Sequence, residues 1–261
     1  MISIDRKRFD ALKNRPEEKL KEVKPKRVEI FDELWLTTLD LPNPPQNSSL
    51  QAKRDLEEVI EYNNNATNEQ KRQYINCDED ASYYIKEVLR DNNFDFNEDT
   101  MEMIEDQCRP IIKHYKNHYN RPRPYQLADA LNIEFKRFKT ETSKTPSYPS
   151  GHTVQPYVVA NHYGNLYPEV KQELRDAADI CAYGRVQAGL HYPSDYKAGI
   201  ILADHISEFL NLDNLKEDAP LNSTGDAVQS NHPLVRSKSL YKRKNEFDTK
   251  RLYKLLKKRY N

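Results

Sequence analysis

Apolar residues recur every three to four positions through much of the chain, separated by clusters of Asn, Asp and Pro. Leu50, Leu56, Val59 and Ile60 stand among charges from Leu50 to Tyr62, a spacing that predicts a helix ended by Asn63-Asn64-Asn65. Ala81 to Leu89 (Tyr84, Ile85, Val88, Leu89) predicts another, stopped by Asp91-Asn92-Asn93. From Glu98 to Tyr119 the pattern is longest, with Met101, Ile104, Cys108, Ile111, Ile112, Tyr115 and Tyr119 on one stripe. Pro110 inside it is expected to kink the helix or start a new one, and Pro122 and Pro124 to end it. Residues 125–148 are polar and poorly periodic. They read as a loop with a short helix near Leu127 to Leu131, suited to selecting a substrate. Thr153 to Tyr163 is helical. Pro168 opens the next helix, which runs through Val170, Leu174, Ala177, Ala178, Cys181 and Ala182 to Ala188, where Gly189 is placed to end it. Ser194 or Asp195 is expected to cap a helix carrying Ala198, Ile201, Leu202, His205, Ile206 and Leu210. With no strand alternation, no repeat and six glycines, the fold class is all-α, a helical bundle.

The two ends differ from this middle. Residues 1–30 are dense in Lys, Arg and Glu and predict an exposed arm or short helix. Glu29 to Leu41 brings concentrated apolar residues, including Trp35, and Leu41-Pro42-Asn43-Pro44-Pro45 must be extended. Asn211 to Pro233 reads as a mobile connection, followed by a last helix near Phe247 to Leu256. The division expected is a charged arm (1–40), a helical domain (41–211), and a linker with a basic C-terminal helix (212–261).

Composition narrows the class. The chain has 261 residues, 37% of them hydrophobic, with a mean hydropathy of −0.96. Its apolar runs are far shorter than the ~20 residues of a membrane span, so we expect a soluble protein with no transmembrane segment. The charged start, Met1-Ile2-Ser3-Ile4-Asp5-Arg6-Lys7, is not expected to act as a secretory signal. Cys77, Cys108 and Cys181 are scattered, with no zinc spacing, and suggest no disulfide framework. A cytoplasmic location follows as the expectation, with the periplasm open only to a trimmed precursor. Net charge is zero, yet from Arg236 onward eleven Lys and Arg face only Glu246 and Asp248. Such a tail is either a solvated amphipathic helix or a contact for polyanions.

Candidate chemistry gathers in three places. Tyr148-Pro149-Ser150-Gly151-His152-Thr153 reads as a chain reversal opening a helix, with Ser150 as N-cap. A helix start leaves N–H groups unpaired at the positive end of its dipole and is a ready anion site. Gly151 would let an oxyanion approach the backbone. On its own, a Ser-Gly pair at a helix start is more often just a cap. Upstream, Lys116, Arg123 and Pro124 form Lys-x6-Arg-Pro. Downstream, Arg185, His191 and Asp195 form Arg-x5-His-x3-Asp. Cleaving a phosphoester requires stabilised charge on the phosphoryl oxygens, an aimed nucleophile and a proton for the leaving oxygen. Lys116, Arg123, Arg185 and the N–H groups near Ser150 and Gly151 suit the first need. His191, held by Asp195, suits the second, and His152 the third. His114 and His118 share a helix face but lack a third metal ligand, so no metal is expected. His162 and His205 read as packing or surface histidines, Tyr115 and Tyr119 as core. Arg121 is expected to face solvent.

Taken in order, these motifs make the chain resemble the superfamily that joins type 2 phosphatidic acid phosphatases, bacterial class A nonspecific acid phosphatases and vanadium-dependent haloperoxidases. The gaps, 24 residues from Pro124 to Pro149 and 31 from His152 to Gly184, are similar to the family's. The likeness covers Leu41 to Leu210 and leans toward the acid phosphatases through Lys116-Asn117-His118-Tyr119, Ser147 to Thr153 and Leu41 to Pro45. It implies an α-helical bundle of the acid phosphatase/vanadium haloperoxidase type and chemistry without a metal. By position it implies His191 as nucleophile, Asp195 as its partner, His152 as acid, and Lys116, Arg123, Ser150, Gly151 and Arg185 as phosphate ligands. Gly184 departs from the family's usual Ser, where we expect tuning rather than loss. The exported location usual for such phosphatases also departs from the expectation above.

The function expected is hydrolysis of phosphate monoesters on a small phosphorylated substrate through a phosphohistidine, with no cofactor and vanadate as inhibitor. Lipid phosphates or diphosphates are the other substrates weighed. Two alternatives stand beside it: a haloperoxidase with vanadate as cofactor on the same residues, or a structural protein whose basic tail binds polyanions. The sequence leaves the oligomeric state open.

Overall fold

The computed structural model describes residues 6–15 and 41–217, with side chains through residue 209. Trp35, residues 218–233 of the expected linker and the basic tail lie outside the described residues, whereas residues 211–217, expected to begin the mobile connection, continue the last described helix. The helices are α1 (Arg6–Asp10), α2 (Leu50–Asn64), α3 (Asn68–Glu79), α4 (Tyr83–Asp91), α5 (Glu98–Tyr119), α6 (Pro124–Ala130), α7 (Gly151–Leu166), α8 (Lys171–Gln187) and α9 (Pro193–Glu217), with a 3-10 turn at Pro168–Val170. No strand occurs among the described residues. The all-α expectation therefore holds.

Three of the helices begin at side-chain caps. Ser49 Oγ accepts from the Ala52 N–H to start α2, and Asn97 Oδ1 accepts from Thr100 to start α5. α3, which hydrophobic periodicity does not predict, is opened by a reciprocal capping box between Thr67 and Gln70. α5 runs unbroken through Pro110 and ends at Asn120, whose left-handed φ of 46° suits asparagine. Residues 6–15 are not a free arm. Phe9 is buried with Leu56, Val59, Leu127, Ala128, Val186 and Tyr192, and Asn47 donates to the Phe9 and Leu12 carbonyls.

α8 is the hub of residues 6–15 and 41–208, which form one compact unit. It packs on α7, α3, α4 and α2, while α5 packs on α7. Leu174, Ala178, Cys181, Ala182 and Val186 are buried on α8, and Val154, Val158, Val159 and Tyr163 are buried on α7. Truncating one such residue, Leu174→Ala, would cost about 2–5 kcal/mol. α7 and α9 approach closely because position 199 is glycine: a Cβ there would stand 2.6 Å from Cβ of Thr153 and 3.1 Å from the Ser150 carbonyl oxygen. Gly189, at φ +77°, turns the chain out of α8 beneath the Phe135 ring.

The cysteine expectation is corrected. Cys77 of α3 and Cys181 of α8 form a disulfide with Cα atoms 5.2 Å apart, and only Cys108 is a free thiol, buried on α5. The two are 104 residues apart in sequence, so only the packing of α3 on α8 reveals the pair. The cysteine set thus gives no reason to favour a reducing compartment. No helix among the described residues is long and apolar enough to cross a membrane.

Candidate active site

The ends of α5, α7, α8 and α9 converge. Lys116 lies in the last turn of α5, and Arg121 and Arg123 lie in the extended stretch that follows. Ser150 precedes α7 with its N–H donating to the Asp195 carbonyl (3.2 Å). Arg185 is in the last turn of α8, His191 lies in the turn after Gly189, and Asp195 is in the first turn of α9. The Tyr148–Pro149 peptide is cis. The Tyr148 hydroxyl donates to the Pro42 carbonyl and the Tyr119 hydroxyl to Leu41, so the proline-rich stretch at Leu41 fastens the approach to α7.

His191 is 2% exposed and held from both ring nitrogens. Nδ1 is 3.2 Å from Asp195 Oδ2, and Nε2 is 3.3 Å from Arg123 Nη1. A carboxylate accepts and a guanidinium donates. Both contacts are satisfied when the proton sits on Nδ1 and Nε2 presents a lone pair. Asp195 is fully buried. Burial opposes its charge, but Arg121, His191 and Ser147 outweigh burial and hold it well below the usual carboxylate range.

Three cations surround the same point. Arg123 donates to the carbonyls of Leu190 (2.8 Å) and Thr145 (2.9 Å), and Lys116 Nζ donates to the Pro146 carbonyl. Arg185 pairs with Asp78 and donates to Ser143 (2.8 Å) and Thr142 (3.0 Å). Burial first, then repulsion from Arg123, pushes Lys116 well below its ordinary value. Burial and Arg185 likewise lower Arg123. Such crowding favours an anion in their midst. Two buried polar atoms here lack hydrogen-bond partners, Ser150 Oγ and Arg185 Nε. Both are donors of the kind an oxyanion would satisfy.

His152 opens α7, partly exposed. Burial, Arg185 and His191 hold it well below the ordinary histidine range, while a hydrogen bond to the Asp78 backbone pulls the other way. It is therefore neutral at pH 7 and becomes an acid only at lower pH or beside a bound anion.

The structure thus brings Lys116, Arg123, Ser150, Gly151, His152, Arg185, His191 and Asp195 to one place, and several details differ from expectation. Ser150 occupies the N-cap position but its hydroxyl makes no cap bond. A Cβ on Gly151 would meet Ile112 at an ordinary 3.6 Å, so packing gives glycine no steric necessity there. Asp195 lies inside the first turn of α9 and accepts from the Tyr192 N–H (3.0 Å). Arg121 does not face solvent: it is 4% exposed and donates to Asp195 Oδ1 at 2.6 Å. Its signal was the spacing Arg121-Pro122-Arg123, since residues two apart in an extended stretch point the same way. Asp78, Ser143 and Ser147 were also missed, and no local pattern marks them. His114 and His118 are exposed. No set of three or more His, Cys, Asp or Glu among the described residues could hold a metal.

Residues 108–210 match the sequence model of the PAP2 superfamily, a range holding the eight residues predicted from the motifs but not Asp78. An acid phosphatase of Zymomonas mobilis subsp. mobilis is 34% identical over 88 residues, 34% of this chain and 33% of that protein. The fold is similar to a bacterial vanadium-dependent chloroperoxidase in its holo form (TM-score 0.53, 16% identity, 70% of this chain and 53% of that one). It is also similar to a bacterial vanadium-dependent iodoperoxidase (TM-score 0.52, 18% identity, 68% and 53%). The matches therefore span about a third of the curated relative and half of each peroxidase, and the peroxidases attest the fold alone. Residues 108–210, which carry the three motifs in order around one site, are thus similar to the PAP2 superfamily.

Proposed function

We propose that the protein is a phosphatase that hydrolyses phosphate monoesters through a phosphohistidine on His191. The observation that carries this reading is the fixed imidazole: Asp195 at Nδ1 and Arg123 at Nε2 select the tautomer whose Nε2 lone pair faces the cations. The acid phosphatase relative supports the same class.

In the first step Nε2 attacks phosphorus, the P–N bond forms and the P–O bond to the leaving alcohol breaks. His152 gives the alkoxide its proton. In the second, His152 takes a proton from water, the water oxygen attacks phosphorus, the P–N bond breaks, and inorganic phosphate leaves. Lys116, Arg123 and Arg185 neutralise the equatorial oxygens throughout, with Ser150 Oγ, Arg185 Nε and the first N–H groups of α7 as further donors. Because three side-chain cations meet the charge, the reaction is proposed to need no metal. Vanadate, which takes the trigonal-bipyramidal shape of the transition state, would bind the same donors as an inhibitor.

The test is hydrolysis of a generic aryl phosphate in excess chelator by wild type and by His191→Ala. Turnover that resists chelator, yields to vanadate and vanishes in the variant supports the reading. Turnover that survives in the variant contradicts it.

A further inference from the structure

We propose that Arg121 is a positioning residue for the nucleophile: it takes one oxygen of Asp195, leaves the other to His191, and is itself shared with Asp55. The inference rests on reading His191 as the nucleophile.

The geometry is a line of buried charges. Asp55 on α2 is 1% exposed, Arg121 4%, Asp195 0% and His191 2%. Arg121 Nη1 is 2.6 Å from Asp195 Oδ1, and its Nη2 is 3.6 Å from Asp55 Oδ2. Ser194 bridges Arg121 and Asp55, accepting from Arg121 Nη1 (2.7 Å) and donating to Asp55. The guanidinium lies 4.0 Å over the Tyr192 ring, so it has little freedom to turn away. Oδ2 of Asp195 is committed to His191 Nδ1, the Ser147 hydroxyl and the Tyr192 N–H. The two carboxylate oxygens are thus divided between a cation and the imidazole.

A lone buried carboxylate beside an imidazole stabilises imidazolium, which has no lone pair for attack. Arg121 cancels part of that charge and keeps His191 neutral while Asp195 still orients it. Asp55 moderates the cancellation by drawing on the same guanidinium. The other charged or titratable groups facing this line are Arg123 and Lys116 at His191, His152 across the site, Arg185 beyond Arg123, and the Tyr192 and Tyr148 hydroxyls beside Arg121 and Asp195. Arg121, shared with Asp55, reaches Asp195 through Oδ1, the oxygen that His191 does not use.

The sign follows. In Asp55→Asn, Arg121 acts on Asp195 undivided, imidazolium loses support, and the acid limb of kcat/KM moves to lower pH. In Arg121→Gln, Asp195 is no longer cancelled and the limb moves to higher pH. The double variant removes one charge of each sign, so it avoids stranding two buried carboxylates. Its limb lies between wild type and Arg121→Gln. Each single shift should be about one pH unit, as expected for one charge gained or lost at this range.

The His191 ring is also read directly by a nitrogen-15 histidine titration of the full chain, assigned with His191→Gln, so that turnover is not required. Midpoints ordered Asp55→Asn, wild type, double variant, Arg121→Gln from low to high support the proposal. Unmoved midpoints in folded Asp55→Asn and the double variant overturn it and leave Arg121 as packing only. Activity retained in His191→Ala would instead strike the nucleophile reading, whatever the midpoints.

Discussion

Asp78 and Arg185 form a buried ion pair across α3 and α8, one residue from Cys77 and one turn from Cys181. Asp78 also accepts from the hydroxyls of Thr140 (2.8 Å) and Thr142 (2.9 Å) and from the Glu141 N–H (3.2 Å). One carboxylate therefore aims the arginine and gathers the loop beside it. Replacing Asp78 by Asn leaves Arg185 buried without its partner. kcat/KM on an aryl phosphate should fall about 10- to 100-fold, the size of one charged hydrogen bond, mostly through KM. Steady-state kinetics checks this, and an unchanged KM would contradict it.

The Cys77–Cys181 bond closes a loop of 104 residues, for which chain entropy gives about 4–5 kcal/mol of stabilisation in favourable cases. Reduction, or Cys77→Ser with Cys181→Ser, should lower the urea midpoint and loosen Arg185 with it. Cys108, whose thiol burial pushes far above the usual range, should resist alkylation in the native state. Urea unfolding reads the first outcome, and mass spectrometry after alkylation with and without reductant reads the second.

Stability should fall on the acid side in two stages. His152 and His191 are held below their ordinary values, so the unfolded chain binds protons first and stability declines as pH drops below about 6.5. Asp195 and Asp78 are also depressed. They stabilise the fold above about pH 4, and that contribution is lost as pH falls further. Inorganic phosphate should reduce the first decline by supporting protonated His152. Melting temperature measured from pH 7 to 3, with and without phosphate, tests the order. A fold most stable near pH 4 without phosphate would contradict it.

Gly199 and Gly151 should behave oppositely. Alanine at 199 collides with Thr153 and the Ser150 carbonyl, an overpacking that costs about 1–3 kcal/mol and displaces the start of α7. Alanine at 151 meets only ordinary contact with Ile112 and should change stability little. Denaturant unfolding separates the two.

What the sequence revealed depended on distance along the chain. α5 was legible because seven apolar residues keep one stripe. α3 was not, since only Tyr74, Ile75 and Cys77 interrupt its polar run, and the one available signal was the Thr67–Gln70 capping box. The eight site residues were legible because three ordered motifs carry them. Arg121 was misread because a cation in a polar stretch looks solvated until its carboxylates are placed. Asp55 on α2 is 66 residues away in number, and no local pattern pairs them. Asp78 and the disulfide escape for the same reason, both being set by how α3 lies on α8.

The most direct measurement is to incubate wild type with an aryl phosphate in chelator, quench in alkali where phosphohistidine survives, and map the peptides by mass. The account predicts one phosphoryl group on His191, absent from His191→Ala. Turnover with no phosphoryl group on His191, or with the group on another residue, would contradict it.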